Sequence, residues 1–138
     1  FYECYQGWFS ANVDEVIQAE SVVVHPTGFA GTRDIVFRHH DYPGHIIVGD
    51  YKTQDVKKKY GPKAWPEHAL QLAAYGHCDI PDNNLPVKTM NIIIDNNGPA
   101  PLTEHPWSDE ETANAWDDFQ CCLKLWQSRK NYKPKGAE

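Results

Sequence analysis

The stretch His45-Ile46-Ile47-Val48-Gly49-Asp50-Tyr51-Lys52 constrains this chain more than any other, because it is apolar at its start and charged at its end. A short apolar run without helical spacing reads as a strand buried on both faces, which requires a sheet covered by other elements. Ending such a strand in Asp50 and Lys52 delivers two opposite charges to one rim of the sheet. Side chains alternate along a strand, so these two project to the same side, about 6 to 7 Å apart. Two further strands precede it. Residues 16 to 25 alternate in part, with Glu20, Val22 and Val24 on one face and Ser21, Val23 and His25 on the other. Pro26-Thr27-Gly28 then turns the chain, and Gly31 to Arg38 returns as the second arm of a hairpin carrying Ile35, Val36 and Phe37.

Downstream of the third strand, residues 54 to 65 are rich in Lys and read as an exposed loop. Pro66-Glu67 opens a helix, with Pro in its first turn and an acid near the positive end of the dipole. Its apolar stripe of Leu70, Ala73 and Ala74 leaves Gln71 and Tyr75 four apart on one face. Met90 to Ile94 reads as another buried strand, and residues 96 to 107, with three prolines, as a loop. Ser108-Asp109-Glu110-Glu111 is a capping box. It opens an amphipathic helix in which Trp116, Phe119, Leu123 and Trp126 recur at steps of three and four, expected to pack on the sheet. The expectation is an α/β domain with a mixed sheet.

At 138 residues and 41% hydrophobic composition, the chain fits one domain with a real core and leaves little room for a second. The longest apolar runs fall far short of the roughly 20 residues that span a bilayer, so a soluble protein is expected. The start, Phe1-Tyr2-Glu3-Cys4, has neither an initiator Met nor a leader pattern, which reads as a fragment with chain missing upstream. Cys4, Cys78, Cys121 and Cys122 form no C-x-x-C pair and read as free intracellular thiols, placing the protein in the cytoplasm. The net charge of −6 weighs against indiscriminate nucleic-acid binding. The positive charge is concentrated, however, with Lys57-Lys58-Lys59 and Lys63 in one loop and Arg129-Lys130, Lys133 and Lys135 in the tail.

The chemistry converges on Asp34, Asp50 and Lys52. Asp34 lies within the apolar run Asp34-Ile35-Val36-Phe37 and Asp50 directly follows Ile46-Ile47-Val48-Gly49, both costly places for a charge without a partner or a metal. Hydrolysis of a phosphodiester needs a divalent ion to neutralise the phosphate and acidify water, and Mg²⁺ takes one or two carboxylates together with waters and phosphate oxygens. Asp34 and Asp50 supply that pair, and the backbone carbonyl of Tyr51 is an added oxygen ligand. Lys52 is placed to orient the attacking water or to stabilise charge developing on the phosphate. Gln71 and Tyr75 can hydrogen-bond water or phosphate and support the nucleic acid.

The ordered set Gly31-Thr32-Arg33-Asp34, Gly49-Asp50-Tyr51-Lys52-Thr53 and Gln71-Leu72-Ala73-Ala74-Tyr75 resembles the signature of the PD-(D/E)XK nuclease superfamily, in its branch of RecB-like nucleases and phage-type exonucleases. Each element is short, and the specificity lies in their order and spacing over residues 20 to 75. The resemblance implies a restriction-endonuclease-like core, a mixed central β-sheet flanked by helices. It implies a Mg²⁺- or Mn²⁺-dependent deoxyribonuclease, an exonuclease of recombination, repair or phage DNA processing. Asp34 and Asp50 would be the metal ligands, Lys52 would act at the water, and Gln71 and Tyr75 would support them. Members of this branch carry a further His or Glu on a helix before the first strand; within this chain Glu20, at the opening of the first strand, is the expected substitute. The four-Cys pattern of the iron–sulfur subgroup is absent from the sequence.

Beside such a site, Lys57, Lys58, Lys59 and Trp65 become expected contacts to DNA, single-stranded or at duplex ends. The competing reading treats Asp34 as a hairpin cap or a partner of Arg33 or Arg38, and Asp50 with Lys52 as an exposed ion pair of about 0 to 1 kcal/mol. A catalytically weak nucleic-acid-binding module that keeps the fold is the alternative function. The seven histidines offer no H-x-x-x-H spacing for zinc, although His68 stands three residues before Gln71.

Overall fold

A computed structural model describes residues 2–57 and 59–134. The elements run α1 (Tyr2–Asn12), β1 (Val13–His25), β2 (Phe29–His39), β3 (Ile46–Gln54), α2 (Pro66–Gly76), β4 (Val87–Asp95), β5 (Thr103–Pro106) and α3 (Asp109–Lys130). The five strands form one sheet in the order β1-β2-β3-β4-β5. Only β3 and β4 are parallel, joined by a crossover through α2, and the other neighbours are antiparallel. The result is an α/β chain with a five-stranded mixed sheet flanked by helices, as the alternation of apolar runs and helical stripes led one to expect.

Period-2 alternation through the central strands feeds two separate cores. Val36, Ile46 and Val48 point to one face, where they meet Ala69, Leu72 and Ala73 of α2, Trp107, and Ala115 of α3. Ile35, Phe37, Ile47, Met90 and Ile92 point to the other face, where Trp8 of α1 covers them. Full burial of side chains such as Phe37, Ile47, Leu72 and Ile92 contributes about 1.5–3 kcal/mol each. The centre of the sheet is therefore rigid, and the ends of its strands are held at fixed places around it.

Three features differ from the sequence reading. Helix α1 occupies a segment for which the sequence reading had no element. It is held by aromatic residues at helical spacing, with Tyr5 and Phe9 flanking Trp8 and Tyr5 edge-on to Tyr51. Strand β5 lies within what reads as a loop. It is only four residues long and sits at the sheet edge, where Pro106 forfeits no ladder bond that the fold needs.

Helix α3 begins at the expected capping box, the Ser108 hydroxyl accepting from the Glu111 amide and the Glu111 carboxylate accepting from the Ser108 amide, both at 3.0 Å. Its packing is not that of a helix laid on the sheet. Ala115 and Thr112 reach the core and Thr89, but Trp116 then stacks on His77 beyond α2, at 4.0 Å between ring centroids, and meets Phe29 at the hairpin tip. Trp126 is left half-exposed. Among the described residues no helix is long and apolar enough to cross a membrane, and the four cysteines are unbridged.

Candidate active site

The β2–β3 ladder pairs Phe37 with Ile47, Val36 with Val48 and Ile35 with Gly49, and stops there. One step further the amide of Tyr51 donates to Asp34 Oδ2 at 2.9 Å, so a carboxylate takes the place of a neighbouring strand's carbonyl. This fork sets Asp34 beside Asp50, close enough for its carboxylate to make the Asp50 proton harder to remove. Strand β3 stays paired with β4 through the fork, Asp50 to Asn91 and Lys52 to Ile93, which keeps its charged end extended.

Asp50 is 4% exposed. Its Oδ2 accepts from Lys52 Nζ at 2.8 Å and, more weakly, from Asn91 Nδ2 at 3.5 Å. Lys52 Nζ also donates to Gln71 Oε1 at 3.1 Å, linking β3 to α2 across the site. Burial pushes the Asp50 carboxyl up to about 6, and the adjacent Asp34 carboxylate adds to this, while the Lys52 ammonium pulls it back down. Two crowded carboxylates, one of them buried, suit a divalent cation, which would relieve both the repulsion and the desolvation of Asp50. Mg²⁺ or Mn²⁺ fits this donor set, since Mg²⁺ is satisfied by one or two carboxylates with waters and substrate oxygens.

The structure thus brings together Asp34, Asp50, Lys52 and Gln71. The Tyr51 side chain lies on the opposite face, its hydroxyl 2.9 Å from that of Tyr5, which leaves its backbone carbonyl as the part at the strand end. Glu20 stands across from Asp34 in the β1–β2 register but completes no three-ligand cluster with the aspartates. It lies in β1 between Ala19, paired with Ile35, and Ser21, paired with Arg33, and is exposed at φ 50°, a backbone region unusual for Glu. Among the described residues no third His, Cys, Asp or Glu joins the pair of aspartates.

Neither alternative partner claims Asp34. Arg38 donates to Pro43 O at 3.0 Å. Arg33 is fully buried and donates to the carbonyls of Tyr75, Cys78 and Asp79 and to Gln18 Oε1. Its cation thereby caps the negative end of α2 and fastens that helix to β2. Tyr75 lies against Gly31 of β2, a contact that helps to seat α2. With α2 held at its end, Gln71 is presented to Lys52.

No protein-family model matches the chain, and no curated protein matches it either.

Asn91 and Trp107, which the sequence reading passed over, stand behind the site, and His68, noted in the sequence for its place before Gln71, lies near Lys52. Asn91, fully buried, stands behind Asp50, and its Oδ1 accepts from Trp107 Nε1 at 2.8 Å. The signal was available as a single amide inside the apolar run Met90-Asn91-Ile92-Ile93. His68, one turn before Gln71, lies close enough to Lys52 for the ammonium, after burial, to lower its basicity. It also accepts the Trp65 amide at 3.2 Å, closing the first turn of α2. Of the expected nucleic-acid contacts, Lys57 pairs with Asp55 at 2.7 Å, Lys59 lies 5.5 Å from the centre of the Tyr60 ring, and Trp65 is half-exposed at the start of α2. Lys58 and Lys135 lie outside the described residues.

Proposed function

We propose that this chain is the core of a metal-dependent deoxyribonuclease, a hydrolase of DNA phosphodiester bonds with the restriction-endonuclease-like architecture of the PD-(D/E)XK superfamily. The observation that carries this reading is the buried Asp50 carboxylate beside Asp34, bridged by Lys52 to Gln71, where the β2–β3 ladder opens. An ion pair of merely structural value would sit at the surface, where it contributes about 0 to 1 kcal/mol. Here burial raises the cost of the Asp50 charge, an arrangement that recurs where chemistry is done.

Asp34 and Asp50 would hold Mg²⁺ or Mn²⁺, with the Tyr51 carbonyl as a further oxygen. When bound, the ion neutralises phosphate charge and makes water acidic enough to attack near neutral pH. Lys52 is held between Asp50 Oδ2 and Gln71 Oε1, which leaves its remaining N–H to orient the attacking water or to donate to the phosphate oxygen that gains charge. Gln71 is a positioning residue acting through Lys52. DNA in recombination, repair or phage DNA processing is the substrate class, in the cytoplasm of a bacterial or infected cell.

The test is degradation of labelled DNA. Cleavage is expected with Mg²⁺ or Mn²⁺ and not with EDTA, and it should vanish in Asp50→Asn and fall about 10²–10³-fold in Lys52→Ala. Absence of cleavage with either metal sinks the assignment. A second reading, a nucleic-acid-binding module without turnover, is favoured by one observation: only two carboxylates converge among the described residues. It predicts salt-sensitive DNA binding that persists in Asp50→Asn.

A further inference from the structure

The loop after β3 is exposed, as its composition suggests, but it is also fastened to the sheet. Gln54, at the end of β3, receives the Lys63 amide on its Oε1 at 3.1 Å and donates its Nε2 to the Lys63 carbonyl. Within the loop, Lys57 O accepts from the amides of Tyr60 and Gly61 at 3.0 and 2.8 Å, with Gly61 at φ +68° closing the turn. The tip is therefore fastened to the strand that carries Asp50 and Lys52, two residues beyond Lys52 on the same face.

What the fastening presents is aromatic as well as basic. Tyr60 is 61% and Trp65 50% exposed. Lys63 Nζ lies 4.7 Å from the Tyr60 ring centre and 5.5 Å from that of Trp65, and Lys59 Nζ lies 5.5 Å from Tyr60. A cavity of about 310 Å³ opens between Tyr60, Gly61, Lys63, Trp65 and Gln54. Asp55 and Lys57 also line this cavity, and the acid is engaged by Lys57 and Asn97 and projects little free negative charge at the rings. Leaving two large rings in water is costly unless a flat apolar surface covers them, and the cations beside them select a polyanion. Flat, apolar faces strung on a polyanion describe the bases of an unpaired nucleic-acid strand; in a duplex those faces are stacked away.

We propose that Tyr60 and Trp65, with Lys63 between them, form a stacking platform for an unpaired DNA strand, which it leads toward Lys52. This deepens the nuclease reading, and rests on it, by naming a single-stranded end as the preferred substrate.

The experiment measures binding in EDTA, where no cleavage occurs, of a fluorescein-labelled 12-mer and its blunt duplex to the full chain. The Tyr60→Ala/Trp65→Ala variant is expected to bind the single strand about tenfold or more weakly and the duplex within about threefold of the native protein. Tyr60→Phe and Trp65→Phe, which keep a ring, are expected to retain binding. Equal losses for strand and duplex, no loss for either, or no binding by the native protein would overturn the platform. Cleavage is read separately. If Asp50-dependent cleavage occurs but the alanine variant binds the strand normally, stacking fails and the nuclease stands; ring-dependent binding without cleavage gives the reverse.

Discussion

Gly31 and Tyr75 share one volume: a methyl group on Gly31 would lie 2.5 Å from the Tyr75 hydroxyl and 2.9 and 3.1 Å from its ring carbons. The glycine that opens the first motif is thus explained by the tyrosine that closes the last, two residues whose contact seats α2 on β2.

Replacing Gly31 with Ala is accordingly expected to destabilise the fold. Overpacking costs about 1–3 kcal/mol, against about 0.4–1 kcal/mol returned by a less flexible unfolded chain. The melting temperature should fall by about 4 °C for each net kcal/mol. In a Gly31→Ala/Tyr75→Ala pair the clash is gone, so the double variant should be less destabilised than the sum of the singles. Strict additivity in thermal melts would show that the contact is not what constrains Gly31.

Arg33 makes a harder demand. Four hydrogen bonds from a fully buried guanidinium hold Gln18 and three carbonyls at and just beyond the end of α2, and Arg33→Ala leaves those acceptors bare around a cavity. The expected loss is about 3 kcal/mol or more in urea unfolding. Arg33→Lys should restore little of it, because one ammonium cannot span acceptors that a planar fork reaches together. Recovery by Lys to near the native midpoint would mean that charge alone, rather than fork geometry, secures the helix.

What was legible in the sequence was whatever a short window encodes. The apolar-to-charged run Ile46 to Lys52, Pro66 at the start of α2 and the Ser108 box each announce themselves within a few residues, and strand alternation alone puts Asp50 and Lys52 on one side. Contacts between distant segments were not legible. That Tyr51's amide turns to Asp34, that Arg33 caps α2 rather than pairing with its neighbouring acid, and that Trp107 holds Asn91 behind Asp50 all depend on where strands come to lie. Strand β5 went unread because it is only four residues long, and α1 because it is stabilised mainly by what it packs against. Glu20 could not be placed from alternation, since its φ of 50° breaks the regular pleat.

The Asp50 carboxyl imposes a pH dependence on stability. Its value rises from 3.8 to about 6 on folding, so the folded state holds the proton more tightly than the unfolded chain. The stabilising contribution is complete below about pH 4 and is lost as pH rises through about 6, a swing of at most about 3 kcal/mol. Asp50→Asn carries no such titration. Relative to the native protein it should gain stability between about pH 4 and pH 7.5, whatever its absolute stability. Denaturant midpoints that keep a constant difference over this range would show that Asp50 ionises as freely as in the unfolded chain. Added Mn²⁺ should raise the native melting temperature most at the upper end of the range, where the pair is anionic.

Under the proposed activity, Lys52 and Gln71 should behave as a unit. Lys52→Ala removes a fixed cation next to the reacting phosphate, a loss of about 10²–10³ in kcat for a preorganised electrostatic group. Gln71 touches the chemistry only through Lys52 Nζ, so Gln71→Ala should lower kcat less, by about tenfold, with KM and Mn²⁺ affinity little changed. The double variant should be no slower than Lys52→Ala alone, because an amide has nothing left to position once the ammonium is gone. Single-turnover cleavage of a labelled strand separates the cases. Multiplicative losses would assign Gln71 its own contact with water or phosphate, and a rise in KM alone would move it from positioning to substrate binding.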